Sequence, residues 1–238
     1  MPDVAVGSKV TDYAISSYTP SLTSLIQALD SVPIVPEAPQ ILIVTQSSPT
    51  GQAHLPGTLQ ELMLIEDQAR KNNIMTTSLK GSDATVLQVK EEMGNASWVH
   101  FACHGVQDSE NPMDSALLLS GSSRLTLSEI IRMRMPSKDL AFLSACQTAT
   151  GNKGLSDEVV HLAAGMLLAG YRGVLATMWF ISDLHAPTVA NDVYAYLFKG
   201  GGPNSTNVAE ALHYAMKNLQ GRPGVSFLVW VPFIHMGQ

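Results

Sequence analysis

Two apolar runs in this sequence end in residues that could carry nucleophilic chemistry. The run "SWVHFAC" leads into His104 and Gly105, and the later run "LAFLSA" leads into Cys146. A thiolate is an effective nucleophile, and a nearby imidazole can raise the thiolate fraction and protonate a leaving amine. The backbone N–H groups of Gly105 and Cys146 could face an oxyanion, because glycine permits close backbone approach. Together these residues indicate a site for nucleophilic thiol chemistry.

Each of these residues also has a purely structural interpretation. A strand-end cysteine taken alone is usually inert core, since cysteine is among the most buried residue types, and a lone histidine is similar. Both residue types at matched strand ends favour a site. We assign His100 and Cys103 to packing within their strand. A metal site that combined them with His104 and Cys146 would need ligands on both faces of one strand, so we predict no metal and no cofactor.

The surrounding sequence alternates short apolar runs with longer amphipathic ones. Strand-like runs are "ILIVTQ", "IMTTSL", "SWVHFAC", "LAFLSA", "GVLATMW" and "FLVWVPFIHM", and helical runs separate most of them. This alternation predicts a mostly parallel sheet covered by helices on both faces. Ligand sites in such sheets gather at the carboxyl ends of the strands, which is where His104 and Cys146 are expected. Pro232 predicts that the last strand lies at an edge or carries a bulge.

Composition excludes several classes of function. The chain has 238 residues, of which 45% are hydrophobic and 14% charged, and its formal net charge is -6. No basic run is present, so neither nucleic acid nor an anionic membrane is an expected partner. Two cysteines are too few for a disulfide-stapled secreted protein of this size, and the N-terminal sequence has no signal-peptide pattern. We therefore expect a cytoplasmic location.

The sequence predicts one domain over residues 1–238, with no repeat and no low-complexity linker. Residues 1–40 are expected to lead into the body of the domain, with a helix around Ser21 to Leu29 and a proline-rich stretch after it. Residues 41–238 are expected to form the α/β body.

The motifs "HFACHG" and "LSACQTATG", followed by "GLSDEVVHLAAGMLLAGYRGVLATMW", resemble the CHAT domain, a caspase-like and separase-related group of cysteine peptidases. The resemblance extends from "YTPSLTSL" to "VWVPFIHMG", which is nearly the whole chain. It implies a caspase-like three-layer α/β/α sandwich with a mostly parallel central sheet of about six strands. It also implies that His104 and Cys146 form the catalytic dyad.

Two acidic residues match the family pattern on the substrate side of the site. Glu158 lies in "SDE" and Asp183 in "WFISD". In separase-type relatives an acid after the tryptophan binds a basic substrate side chain, and the resemblance implies this role for Asp183, with Glu158 as an alternative. Asp183 also fits a cap of the helix that begins near His185.

These observations favour a cysteine endopeptidase that cleaves a protein or peptide substrate in a regulated signalling context. The alternative is a non-catalytic caspase-like interaction or scaffold module, which gives no reason to keep both His104 and Cys146. Family members usually carry the domain behind helical repeats, so a helical-repeat or signalling partner is a further expectation. A redox site formed by Cys103 and Cys146 is disfavoured, because strand alternation does not place both sulfurs on one rim.

Overall fold

A mostly parallel β-sheet lies at the centre of the fold. The computed structural model describes residues 10–21, 26, 39–49, 51–108, 110–135, 138–147, 159–179, 181–199 and 205–237, with the backbone alone at 146–147 and 159–161. The helix predicted around Ser21 to Leu29 lies largely outside the described residues.

Eight strands in the described part of the chain belong to this sheet. Their bounds are β1 Gln40–Thr45, β2 Met75–Lys80, β3 Trp98–Val106, β4 Ala116–Leu118, β5 Arg124–Thr126, β6 Lys138–Gln147, β7 Tyr171–Thr177 and β8 Phe233–Gly237. The main path follows the order β2-β1-β3-β6-β7-β8, in which all neighbours are parallel except β8, which is antiparallel to β7. The short strands β4 and β5 form an antiparallel extension from the end of β3.

Helices cover both faces of the sheet. Their bounds are α1 Gly57–Lys71, α2 Val86–Asn95, α3 Leu127–Met133, α4 Val159–Ala169, α5 Ala186–Leu197, α6 Val208–Gln220 and the single turn α7 Phe227–Trp230. One core cluster joins the sheet to α2, α3 and α4, and a second joins it to α1, α5 and α6. The predicted three-layer α/β/α arrangement around a mostly parallel sheet is therefore confirmed.

The central strands are apolar on both faces, as a sheet between two helical layers requires. In β1, Leu42 and Val44 pack in the first cluster, while Ile41 and Ile43 pack in the second, and all four are fully buried. Burial of each such side chain contributes about 1.5–3 kcal/mol relative to exposure. The same alternation along β3 puts Phe101 in the first cluster.

Both site-bearing strands are longer than the sequence predicts. The prediction that β3 ends at Cys103 is wrong, because Gly105 and Val106 pair with β4, which prolongs the strand. β6 likewise continues to Gln147, which pairs with Gly105. His104 and Cys146 therefore belong to the paired ends of their strands and do not follow them.

The C-terminal prediction is only partly right. "FLVWVPFIHM" is not one strand, since Phe227–Trp230 is a helical turn whose Leu228 N–H donates to the Ser226 hydroxyl at 3.4 Å. Pro232 precedes β8, which ends the main path of the sheet as predicted.

The outer side of β8 is covered by residues 10–21, which we call the N-terminal segment. The N–H of Tyr18 donates to the carbonyl of His235 at 2.9 Å, and the N–H of Gly237 donates to the carbonyl of Tyr18 at 3.0 Å. Ser17 Oγ lies 2.8 Å from Nδ1 of His235, which is fully buried. The segment thereby satisfies backbone groups that an edge strand would leave open.

Burial of His235 makes the stability of this edge depend on pH. Burial lowers the pKa of His235 from 6.5 to about 4, because the charged imidazolium is disfavoured away from water. Below pH 6.5 the unfolded chain takes up a proton here, while the folded protein does so only near pH 4. We expect this group to lower the free energy of unfolding by about 3 kcal/mol across that window. Urea unfolding of wild type and His235→Gln at several pH values measures the difference, and identical pH dependence in the two proteins would contradict it.

Candidate active site

Neighbouring parallel strands bring His104 and Cys146 into register. β3 pairs with β6 so that His104 is the register partner of Cys146, and Gly105 is the partner of Gln147. Adjacent strands of a sheet stand about 4.8 Å apart. The pair lies at the carboxyl end of both strands, the edge at which sites form in α/β sheets. The sequence prediction that these two positions share one rim therefore agrees with the backbone.

The imidazole of His104 is held by a backbone carbonyl. His104 is 2% exposed, and its Nε2 lies 2.8 Å from the carbonyl oxygen of Ala53. A carbonyl oxygen only accepts hydrogen bonds, so Nε2 carries the proton in this contact and Nδ1 of the neutral ring keeps its lone pair. Nδ1 is buried, and no atom of the described residues hydrogen-bonds it. The ring therefore offers Nδ1 as a base.

The loop between β1 and α1 positions the Ala53 carbonyl. The N–H of Gln46 donates to the carbonyl of Ala102 at 3.0 Å, which ties the start of the loop to β3. The N–H of Leu55 donates to the carbonyl of Ser47 at 2.8 Å, and the Leu55 side chain is buried in the second core cluster. The bond between Leu55 and Ser47 thus joins the two sides of the loop that flank Ala53. Sequence reasoning missed this contact, because a backbone carbonyl has no residue-type signature.

A buried polar network lies on β3 four residues before His104. Nε2 of His100 lies 2.9 Å from a carboxylate oxygen of Glu61, and the hydroxyl of Tyr194 lies 3.2 Å from Nδ1 of His100. All three side chains are buried. Burial, with a further contribution from the charge of Glu61, raises the pKa of the Tyr194 hydroxyl far above its usual range, so this hydroxyl stays protonated. The network joins α1, β3 and α5, and therefore fixes the helix that follows the Ala53 loop.

The sequence interpretation of His100 as a packing residue agrees with this burial but missed its partners. Glu61 lies three residues after Thr58 and four before Ile65, which are both on the buried face of α1. That helical spacing is the available signal for a buried acid. It does not identify the partner, which comes from another element.

Asp183 contacts a different helix from the one predicted. Its Oδ2 accepts a hydrogen bond from the N–H of Gly57 at 2.8 Å. Gly57 is the first residue of α1, where N–H groups lack intrahelical acceptors and a carboxylate is favourable. The predicted cap of the helix after His185 is wrong, since no side chain caps α5 there. Asp183 and His104 therefore both contact the segment from Ala53 to Gly57.

The remaining predicted residues fall in separate places. Gly105 lies within the sheet between β4 and β6, and a Cβ there would stand 3.7 Å from the Ala145 Cβ, which is ordinary packing distance. Cys103 is fully buried in the first core cluster, on the face opposite to the second cluster that contains Leu55. Glu158 lies outside the described residues.

Neither a metal site nor a membrane span is found in the described part of the chain. Its histidine, cysteine, aspartate and glutamate residues form no group of three or more that could hold a metal ion. None of its helices combines the length and the apolar character needed to cross a bilayer.

Comparison with known proteins identifies a family and structures with a similar fold, two of which are described here. The family model described as "CHAT domain" matches residues 6–238. Among solved structures, the fold is similar to the Arg-specific cysteine proteinase gingipain R (RgpB), with a TM-score of 0.54 and 10% identity over 84% of this chain and 46% of that chain. It is also similar to the complex of Porphyromonas gingivalis RgpB pro- and mature domains, with a TM-score of 0.52 and 11% identity over 84% and 47% of the two chains. The chain thus spans about half of each structural neighbour. No curated protein matches it.

The contact between Gly57 and Asp183 leaves no room for a side chain at position 57. A Cβ on Gly57 would overlap the backbone carbonyl oxygen and the carboxylate of Asp183. We expect Gly57→Ala to lower the free energy of unfolding by about 1–3 kcal/mol, because the two segments must move apart. Gly94→Ala is the matched control, since a Cβ there meets nothing within 4 Å, and it should be neutral or stabilise slightly. Urea unfolding that shows equal stability for the two variants would contradict the close approach.

Proposed function

Because the chain belongs to the CHAT domain family, we propose that it is a cysteine endopeptidase in which Cys146 is the nucleophile and His104 the general acid and base. One observation carries the proposal most directly: His104 and Cys146 are register partners on adjacent strands at the carboxyl edge of the sheet. The cysteine-peptidase-like fold shared with the gingipain structures agrees with it.

The proposed first step forms an acyl-enzyme. The Cys146 thiol passes its proton to Nδ1 of His104, and the sulfur attacks the carbonyl carbon of the scissile peptide. The negative charge that develops on the carbonyl oxygen is met by the backbone N–H of Cys146. Gly105, the other oxyanion donor expected from the sequence, is paired with both β4 and β6 and is not assigned this role. When the C–N bond breaks, Nδ1–H of His104 protonates the leaving amine, and the acyl group stays on sulfur as a thioester.

The second step releases the product. A water molecule gives a proton to Nδ1 of His104 and attacks the thioester carbonyl. The C–S bond then breaks, the carboxylic acid leaves, and the thiolate takes the proton back. Throughout, Nε2–H of His104 stays bonded to the Ala53 carbonyl, which holds the ring orientation.

We propose that His104 acts chiefly as the proton donor to the leaving amine and that it forms no tight ion pair with the Cys146 thiol before substrate binds. The backbone register places the two residues on adjacent strands, about 4.8 Å apart, within reach of one substrate peptide bond.

The position of His104 supports catalysis over a scaffold role. Nδ1 is a buried acceptor that no described residue satisfies, and Cys146 is its register partner on the neighbouring strand. A scaffold has no use for this pair of residue types, whereas a peptidase uses them to move a proton.

We propose further that a helical-repeat or signalling partner regulates cleavage of a protein or peptide substrate in the cytoplasm. Recovery of the tagged chain in a secreted fraction of its host cells would contradict that location.

Labelling with an electrophilic peptide tests the nucleophile. We expect a peptidyl acyloxymethyl ketone to modify Cys146 in wild type, and Cys146→Ala to abolish labelling, because the sulfur is the attacking atom. Cys103→Ala is the matched control and should keep most of the labelling, since Cys103 is buried in the core. Mass spectrometry of the labelled peptides identifies the site, and labelling lost only in Cys103→Ala would overturn the assignment.

We also propose that Asp183, with Glu158 as the alternative acid, selects a basic residue before the scissile bond. Oδ2 of Asp183 accepts from the Gly57 N–H, and within the described part of the chain no hydrogen bond to Oδ1 is found, so Oδ1 could bind an Arg or Lys side chain through a charge-assisted bond. We expect a positional peptide library to show a basic preference in wild type that both Asp183→Ala and Asp183→Asn lose.

The two Asp183 variants separate specificity from stability. Asn keeps an oxygen for the Gly57 N–H but removes the charge, so Asp183→Asn should be the more stable of the two. An apolar preference that neither variant changes would leave Asp183 with its structural contact alone.

A further inference from the structure

Ser144 belongs to the same face of β6 as Cys146, which follows it by two residues. Side chains alternate between the two faces along a strand, and Phe142 packs in the second core cluster, so positions 142, 144 and 146 share that face. β6 keeps an unbroken register with β3 up to its last residue, so no bulge reverses the alternation. Ser144 is therefore the residue next to Cys146 on the face that also carries His104.

Ser144 and His104 flank position 146 from two directions. Cys146 is the register partner of His104, about 4.8 Å away across the strands, and its Cα stands about 6.6 Å from that of Ser144 along β6. Ser144 and His104 are diagonal neighbours, roughly 8 Å apart by the same spacings, and no hydrogen bond joins them. Position 146 thus lies between a hydroxyl and an imidazole.

The Ser144 hydroxyl is buried and has no hydrogen-bond partner in the described part of the chain. Ser144 is 5% exposed, and its Oγ is closed to solvent. Its neighbours on this face offer it no acceptor, because Phe142 lies before it on β6 and the register partner on β3 is Ala102. A buried donor without an acceptor is unfavourable. The hydroxyl proton therefore remains available to an acceptor at position 146.

We propose that Ser144 is a further catalytic residue, whose hydroxyl donates a hydrogen bond to the Cys146 thiolate. This inference rests on the proposed role of Cys146 as the nucleophile. If His104 forms no tight ion pair with the thiol before substrate binds, the thiolate needs a donor other than the imidazole. A hydrogen bond to the charged form favours that form, so the hydroxyl lowers the pKa of the Cys146 thiol.

The other titratable groups near this edge do not change when Ser144 is substituted. β7 contributes none at its carboxyl end. Among the described residues they are His104 on β3, the buried pair of Glu61 and His100, and His54, Asp183 and His185 in the segments before α1 and α5. A change in the titration of Cys146 in Ser144→Ala therefore reports the loss of the hydroxyl.

The pH dependence of Cys146 alkylation by iodoacetamide tests the proposal, with mass spectrometry following the Cys146 peptide. We expect Ser144→Ala to raise the midpoint by about one pH unit, so that alkylation below the midpoint slows about 10-fold. Above the midpoint the variant should react as fast as wild type or up to about 3-fold faster, because a thiolate of higher pKa is the better nucleophile. General damage to the site would slow alkylation at every pH instead.

Two further variants serve as controls. Thr45→Val removes another buried hydroxyl without a partner on this face, but Thr45 pairs with Ala102 from the far side of β3, so the midpoint should not change. Ser144→Thr keeps a hydroxyl and should keep the wild-type midpoint. Equal midpoints in wild type and Ser144→Ala, or the same rise in Thr45→Val, would overturn the proposal. Loss of the fold in Ser144→Ala by circular dichroism would also overturn it, since the hydroxyl would then serve the structure.

Alkylation needs no peptidase activity, so the test separates this inference from the proposed function. A raised midpoint in Ser144→Ala, together with a wild-type protein that hydrolyses no peptide, would support the hydrogen bond and count against the peptidase. Peptide hydrolysis by wild type, together with an unchanged midpoint in Ser144→Ala, would reject the hydrogen bond alone.

Discussion

The hydrogen bond between Nε2–H of His104 and the carbonyl of Ala53 is the contact on which the proposed mechanism depends. It fixes the tautomer, and in that mechanism Nδ1 is therefore the nitrogen that exchanges a proton with substrate. A buried imidazole without such an acceptor could turn or take the other tautomer. The loop that supplies the carbonyl must therefore be held in place by contacts with the rest of the fold.

Three contacts restrain the loop and the helix that follows it. Leu55 buries the loop in the core, Asp183 binds the first N–H of α1, and Glu61 binds His100 on β3. The contact between Glu61 and His100 carries a desolvation cost, because a buried carboxylate needs hydrogen-bonding partners to offset the loss of water. Since His100 lies on the strand that also carries His104, the contact fixes α1 against the strand of the candidate site. The site thus depends on side chains outside the pair of His104 and Cys146.

The sequence predicted those parts of the fold that follow from local pattern. Apolar runs separated by amphipathic ones predicted the layers, and the His and Cys at two strand ends predicted that His104 and Cys146 share one rim of the sheet. Contacts between distant segments were not predictable in the same way. Asp183 and Gly57 are 126 positions apart, and nothing near either residue indicates the other. The extension of β3 beyond Cys103 depends on pairing with β4, and the role of Ala53 depends on a backbone atom that every residue type possesses.

The most direct test of the account compares two reactions in wild type and in His104→Ala. One is hydrolysis of a peptide substrate, and the other is alkylation of Cys146 by iodoacetamide, which needs no leaving-group proton. If His104 protonates the leaving amine, its loss should slow hydrolysis by roughly 10²- to 10⁴-fold and alkylation much less. Equal losses in both rates would indicate a tight thiolate–imidazolium pair instead. Hydrolysis that proceeds unchanged without His104 would contradict the dyad itself.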